Sequence, residues 1–304
     1  MRWTVLEAST KTMVRLLQKI LGTGTATVGA AMGVITLTGL VQFIMGLICL
    51  KNARPAITSD RKGKVGAVLF GIGALASNIC ALKAFQLGGS VIVVTFITTL
   101  SMFFGALLDR FWFKHKFAPR QWVGLGVGMG AGYAMLNFPS LSEALTLPLW
   151  VWFAFGNMVS LVMNQWIVQT IKDIHPYAKN VWGGGSTCVF GAVLFFIAGG
   201  MGNLTLSATT FMAASVAIGV VTFFMWAFSL FAYKEGAYIS LKKLVMNASY
   251  MAMTVVVGVV WFKEFLTLSH TVGFALYLAA IIMMDEKVYK TLWSLRQRRQ
   301  TPAL

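Results

Sequence analysis

YKEGAYISLKKLVMNASYMAMTVVVGVVWFKE, Tyr233 to Glu264, is a long apolar run with two adjacent lysines, Lys242 and Lys243, just inside one end. A lysine held in hydrocarbon costs roughly 3 kcal/mol on insertion scales. Two side by side imply either that the apolar run starts after them or that they face a wet cavity. The surroundings show which solvent matters. The 304 residues are 58% hydrophobic and only 11% charged, with a mean hydropathy of +0.76. Apolar runs of about 18 residues or more recur along almost the whole chain, each long enough to span a bilayer as a helix. Lipid offers backbone groups no partner, so such runs are expected to be helical.

Outward from that stretch, apolar runs fall at about 25–50, 65–86, 91–108, 122–138, 149–170, 181–200, 211–232 and 268–284. With the opening stretch they predict an all-α polytopic membrane protein of nine clear spans. Residues 1–22 carry Lys11, Arg15 and Lys19 at four-residue spacing. They predict a tenth helix, short or truncated. Connections rich in Lys and Arg (51–64, 110–120, 172–179 and the tail) alternate with connections that have almost none. The positive-inside rule places the basic ones, with the C-terminus, in the cytoplasm, for a multi-pass protein of the cell (inner) membrane. The net charge of +16 is therefore a footprint of topology, and nucleic acid is not an expected partner. Cys49, Cys80 and Cys188 lie in or beside apolar runs with no CxxC spacing and read as small buried hydrophobes. His115, His175 and His270 show no metal spacing, and no cofactor is expected.

The opening stretch also has a partner in the chain. Ala84–Gly88 and Ala232–Gly236 both read A-[FY]-x-x-G. In each case an apolar span follows, then WFK (112–114 and 261–263), then a span opening at Gly124 or Gly273. The topology count puts Gly88 outside and Gly236 inside, so the repeat is inverted. This is the architecture of secondary transporters, whose substrate site lies near mid-membrane between the halves. On these motifs the sequence resembles the drug/metabolite transporter superfamily, specifically the EamA-like permeases. The resemblance implies two five-helix repeats, 1–140 and 141–286, followed by a basic cytoplasmic tail at 287–304. It implies transport of a small-molecule substrate among membrane lipids. The family glutamate falls at Glu264 in the second repeat, whereas His115 stands at the matching position of the first.

Candidate substrate contacts follow from depth and polarity. Lys242 and Lys243 suit an anionic group, and in related branches of the superfamily a basic pair occupies a similar place. Asn247 lies one turn after Lys243 on the same helix face. Tyr233, Tyr238 and Trp226 offer rings for stacking, and Asn78, Thr95 and Asn164 are polar at depth. Lys83 sits late in its span. Each has a plainer reading as helix glue, packing or a snorkelling cation. All nine acidic residues read as lying at span ends or in links. A buried carboxylate for proton-coupled cation export is thus not expected, and an anion or zwitterion is favoured. The alternative is an amino-acid or drug exporter whose lysines are structural. Paired intramembrane aspartates and a nucleophile–base pair are both missing from the pattern, which argues against an enzyme. Gly124, Gly128 and Gly132, four apart, read as helix packing and would also serve a homodimer through the glycine-rich helices.

Overall fold

The computed structural model describes residues 2–24, 27–53, 61–112, 114, 118–137, 147–200, 207–235 and 239–284; for 52, 53, 109, 233, 239–245, 247 and 248 it describes the backbone alone. Every regular element among them is a helix: α1 (Arg2–Gly24), α2 (Val28–Ala53), α3 (Arg61–Gln86), α4 (Val91–Thr99), α5 (Ser101–Phe111), α6 (Pro119–Met135), α7 (Leu149–Thr170), α8 (Pro176–Ile197), α9 (Ala208–Lys234), α10 (Ile239–Val260) and α11 (Leu268–Met284). Helices α4 and α5 run on through Leu100.

Large apolar side chains such as Met129, Val189, Phe196, Ile197 and Val256 are exposed, while Arg15, Gln18, Gln42, Asn157 and Lys179 are buried. A water-soluble protein of this size arranges these the other way round. An apolar exterior around a polar interior is what a bilayer selects. The protein is a membrane-embedded helical bundle.

Two sequence expectations need correction. Six helices among the described residues, not nine or ten, are long and apolar enough to cross a membrane: α2, α3, α4–α5, α7, α8 and α9. Helices α6 and α11 stop at 17 residues, and α10 is apolar only over Ser249–Val260. The first helix is not shortened. Helix α1 has 23 residues, about 34 Å at 1.5 Å per residue; its charges, not its length, remove it from the apolar set. It runs from one end of the bundle to the other. At one end Trp3 donates to Glu235 (2.6 Å); at the other Lys19 donates to the Gly89 carbonyl (2.6 Å).

With α4–α5 counted as one helix, the larger helix pairings exchange when the first five helices are swapped for the second five, although α1 also packs on α3 with no comparable contact between α7 and α9. Helix α3 packs on α7 as α9 packs on α1, α3 on α8 as α9 on α2, and α1 on α10 as α7 on α4–α5; α2 meets α8, and α6 meets α11. Glycines show the same exchange at atomic scale. A methyl group at Gly39 would come 2.8 Å from the Gly184 carbonyl and 2.5 Å from Cys188 N, and one at Gly184 would come 3.0 Å from the Gly39 carbonyl and 2.9 Å from Phe43 N. Both pairs, 39 with 184 and 43 with 188, are 145 positions apart. In the α6–α11 crossing, Gly124 faces the Ala280 carbonyl and Gly273 the Ala131 carbonyl, each at 3.1 Å from an added methyl. There the spacing is 149 positions.

These crossings bring backbones into direct contact, so any side chain overpacks them. Gly39→Ala is expected to destabilise the bundle by about 2 kcal/mol. Gly126→Ala is the control, since nothing lies within 4 Å of an added methyl there. Thermal unfolding in detergent should separate the two; equal midpoints would mean that α2 and α8 can spread apart freely.

The repeated motifs have a backbone reading. Gly88 ends α3 in the left-handed region (φ +89°), with Gly88 N–H donating to Phe85 O (3.1 Å) and Gly89 N–H to Ala84 O (2.9 Å). This is a Schellman stop, which explains the glycine of A-F-x-x-G. Gly236 lies outside the described residues. The lysines of both WFK motifs are left-handed, Lys114 at φ +56° and Lys263 at φ +55°, so each motif terminates its helix in the same way.

Candidate functional site

Helix α1 presents Lys11, Arg15 and Gln18 at i, i+4 and i+7, one stripe of a helix. Arg15 is 5% exposed. It donates from Nε to Tyr250 Oη and from Nη1 to Gln18 Oε1, both at 2.9 Å. A guanidinium only donates, so Asn157 must turn its amide oxygen toward it. So placed, Asn157 accepts from both terminal nitrogens (2.8 and 3.0 Å) and donates to Ser77 Oγ (2.7 Å). Gln18 donates onward to Asn78 Oδ1 (2.8 Å). The Tyr250 hydroxyl, having accepted from Arg15, has its proton left for Thr95 Oγ1 at 3.3 Å. One buried cation thus ties α1 to α10 and α7, and through its partners to α3 and α4. Among the described residues its hydrogen-bond partners are neutral groups.

Beside this network lies a cavity of about 120 Å³ between α1, α3, α7, α8, α9 and α10. Its wall includes Glu7, Lys11, Asn78, Asn164, Lys179 and Trp226. Lys179 is fully buried. Its Nζ sits 4.6 Å from the Phe70 ring centroid and 5.8 Å from that of Trp226; those rings meet edge to face at 4.5 Å. Lys11 Nζ lies 4.3 Å from the Tyr250 ring. Glu7 is 7% exposed. That overturns the expectation that no carboxylate is buried: Glu7 sits only six residues from the first residue, and the basic stripe after it hid a helix that runs the length of the bundle.

The Gly88 end of the bundle is closed by a second cluster. Glu264, in the α10–α11 connection, accepts from Ser90 Oγ (2.8 Å), Val91 N–H (2.6 Å) and Ile92 N–H (3.0 Å). These amides open α4 and have no partner within it, and a carboxylate at the positive end of a helix is favourable. Glu264 therefore caps α4 from the far end of the sequence.

At the other end His175 caps α8, its Nδ1 accepting from Tyr177 N–H at 3.3 Å. Burial, and then the Lys234 charge, push its pKa below the usual 6.5. A depressed histidine contributes stability that is complete above the unfolded-state pKa and lost as pH falls through the folded one. The unfolding midpoint should therefore drop below about pH 6.5. His175→Asn, which keeps a capping oxygen, should flatten that drop; an unchanged pH profile in the variant would place the acid sensitivity elsewhere.

Of the residues singled out from sequence, Asn78, Asn164 and Trp226 line the cavity, and Thr95 joins the network behind it through Tyr250. Asn164, with its amide turned to satisfy both partners, accepts from Ala74 N–H (3.2 Å) and donates to Phe70 O (3.3 Å). Lys83 does not reach the cavity; it is half-buried on the last turn of α3. Lys242, Lys243 and Asn247 lie on α10 and Tyr233 near the end of α9, with side chains outside the described residues, as is the whole of Tyr238. Arg15 and Lys11, which the sequence places on the basic stripe of a short first helix, are drawn inward, and Lys179 stands in a stretch that composition reads as a basic connection. Gly124, Gly128 and Gly132 are occupied inside the chain, by the Met283–Met284 segment, Phe103 and Leu100. Among the described residues no three His, Cys, Asp or Glu side chains converge on a point where a metal ion would sit.

No protein-family model matches the chain, and no curated protein does. Solved structures do. One, described only as the crystal structure of a protein, aligns over 95% of this chain and 99% of its own at a TM-score of 0.65 and 13% identity. At that identity the likeness shows the fold alone.

Proposed function

We propose that this chain is a secondary transporter that moves a small organic solute across the cell membrane by alternating access, with an inverted-repeat fold like that of the drug/metabolite transporters. The observation that carries the reading is the cavity lined by buried charges between helices whose larger pairings exchange in two sets of five. Inverted repeats place substrate sites there, and ionisable groups inside a bundle mark solute or ion pathways. Matching pair spacings of 145 and 149 positions and matching left-handed lysines support the repeat. In this reading α1 crosses the membrane with Glu7, Lys11, Arg15 and Lys19 turned inward.

A second reading, an exporter of amino acids or cationic drugs, is favoured by Glu7, which gives the cavity a carboxylate able to meet a cation. The test is counterflow in proteoliposomes carrying the purified full chain. Saturable exchange of one solute class, absent from empty liposomes, is the expected result. Flux that rises linearly with concentration for every class would sink the transport reading.

A further inference from the structure

We propose that the cavity is a binding site for a compact soluble organic anion, a carboxylate or phosphate monoester that also carries a hydroxyl or ammonium donor, with Lys179 as its main contact; the inference rests on the transport reading and narrows its substrate. Among the described residues, two lysines and one carboxylate line the cavity, and Arg15 stands behind it, bonded to neutral groups. That is three cations against one anion. Charges at low dielectric act over longer range than in water, so this excess favours an incoming anion.

Lys179 has the strongest claim to it. It is enclosed and flanked by two aromatic rings. Ring quadrupoles attract a desolvated cation, and a charge-assisted bond to an oxyanion is among the strongest an ammonium makes. It also belongs to the first turn of α8, which starts at Pro176, where the helix dipole disfavours a cation. An oxyanion at Nζ relieves both. Lys11, across the cavity, adds a second positive charge. Glu7 and the Asn78 amide oxygen accept hydrogen bonds, and they suit a donor substituent on the same ligand. The site does not require the Lys242–Lys243 pair.

Phosphate chemistry also occurs in lipid headgroups, so the test separates the sources. Purified full chain in a neutral detergent is titrated with methyl phosphate, succinate, serine, ethanolamine and erythritol, and separately with phosphatidylglycerol, while the unfolding midpoint is read. We expect methyl phosphate, succinate or both to raise the midpoint, with erythritol and ethanolamine inert. Lys179→Gln should weaken the apparent affinity at least tenfold. Lys179→Arg should keep most of it, which excludes simple misfolding. Lys64→Gln removes a lysine beside Trp182 away from the cavity and should change nothing. Anion affinity kept in Lys179→Gln, or a midpoint raised only by ethanolamine or only by phosphatidylglycerol, overturns the proposal. Saturable exchange of a neutral or cationic solute that survives Lys179→Gln overturns it too and leaves the transport reading standing. Anion stabilisation lost in Lys179→Gln, without saturable flux of any solute, keeps the site and removes transport.

Discussion

Arg15→Met is expected to destabilise the bundle by about 2–3 kcal/mol, one of the two largest effects foreseen for a single side chain. Methionine roughly fills the volume and removes a buried charge, which by itself can be neutral or stabilising. What decides the sign is the company left behind. Tyr250 and Asn157 between them lose three interhelical bonds at 2.8–3.0 Å, and Gln18 loses one within α1; interhelical bonds in membranes average about 0.6 kcal/mol with a maximum near 1.7. Three such losses, with acceptors stranded where water does not reach, outweigh the relief of one desolvated cation. Arg15→Lys should recover less than half, since an ammonium cannot reproduce the planar fork. Replacing Arg15, Gln18 and Asn157 together by apolar residues should recover more. A midpoint for Arg15→Met within about 0.5 kcal/mol of the parent would show that the three acceptors repartner and that Arg15 is no strut.

Glu264→Gln should loosen the Gly88 end by about 2 kcal/mol, roughly a thirtyfold shift toward an open state of that end. The carboxylate satisfies two α4 amides and the Ser90 hydroxyl at once; glutamine has one acceptor and no charge. A reporter cysteine is introduced by Thr95→Cys, at a position buried beneath that end, in a chain whose three native cysteines are serine. Its alkylation by a polar maleimide should then accelerate about thirtyfold. An unchanged labelling rate would mean that the end stays shut without Glu264.

Much of this fold was legible in the sequence, for identifiable reasons. Hydropathy finds apolar helices because lipid-facing residues are apolar all round, and α2, α3 and α7–α9 lie where the runs fall. The A-F-x-x-G and WFK matches were visible because helix ends need particular backbone angles, and few residue types supply them. What hydropathy misjudged was α1. A helix that turns Glu7, Lys11, Arg15 and Lys19 toward a protein interior while Arg2 stays exposed looks, to an averaging window, like a solvated segment. Lys179 escaped for a related reason: it stands four residues after His175, in a stretch that composition reads as a loop, yet α8 begins at Pro176 and carries it inward. The sequence candidates that line the cavity, Asn78, Asn164 and Trp226, are neutral polar or aromatic groups inside unambiguous apolar runs, where polarity stands out.

The glycine crossings bear on how such a bundle can move. At α2–α8 and α6–α11 backbone touches backbone, with no layer of side chains to slide on. Such contacts resist translation and tolerate small rotation, as a bearing does. Both lie where the two halves exchange onto themselves, so a turn about them disturbs each half equally. Helices α3 and α9 pack directly on α8 and α2, and α8 itself carries Lys179 into the cavity wall, so a turn about the α2–α8 crossing would carry the charged wall with it.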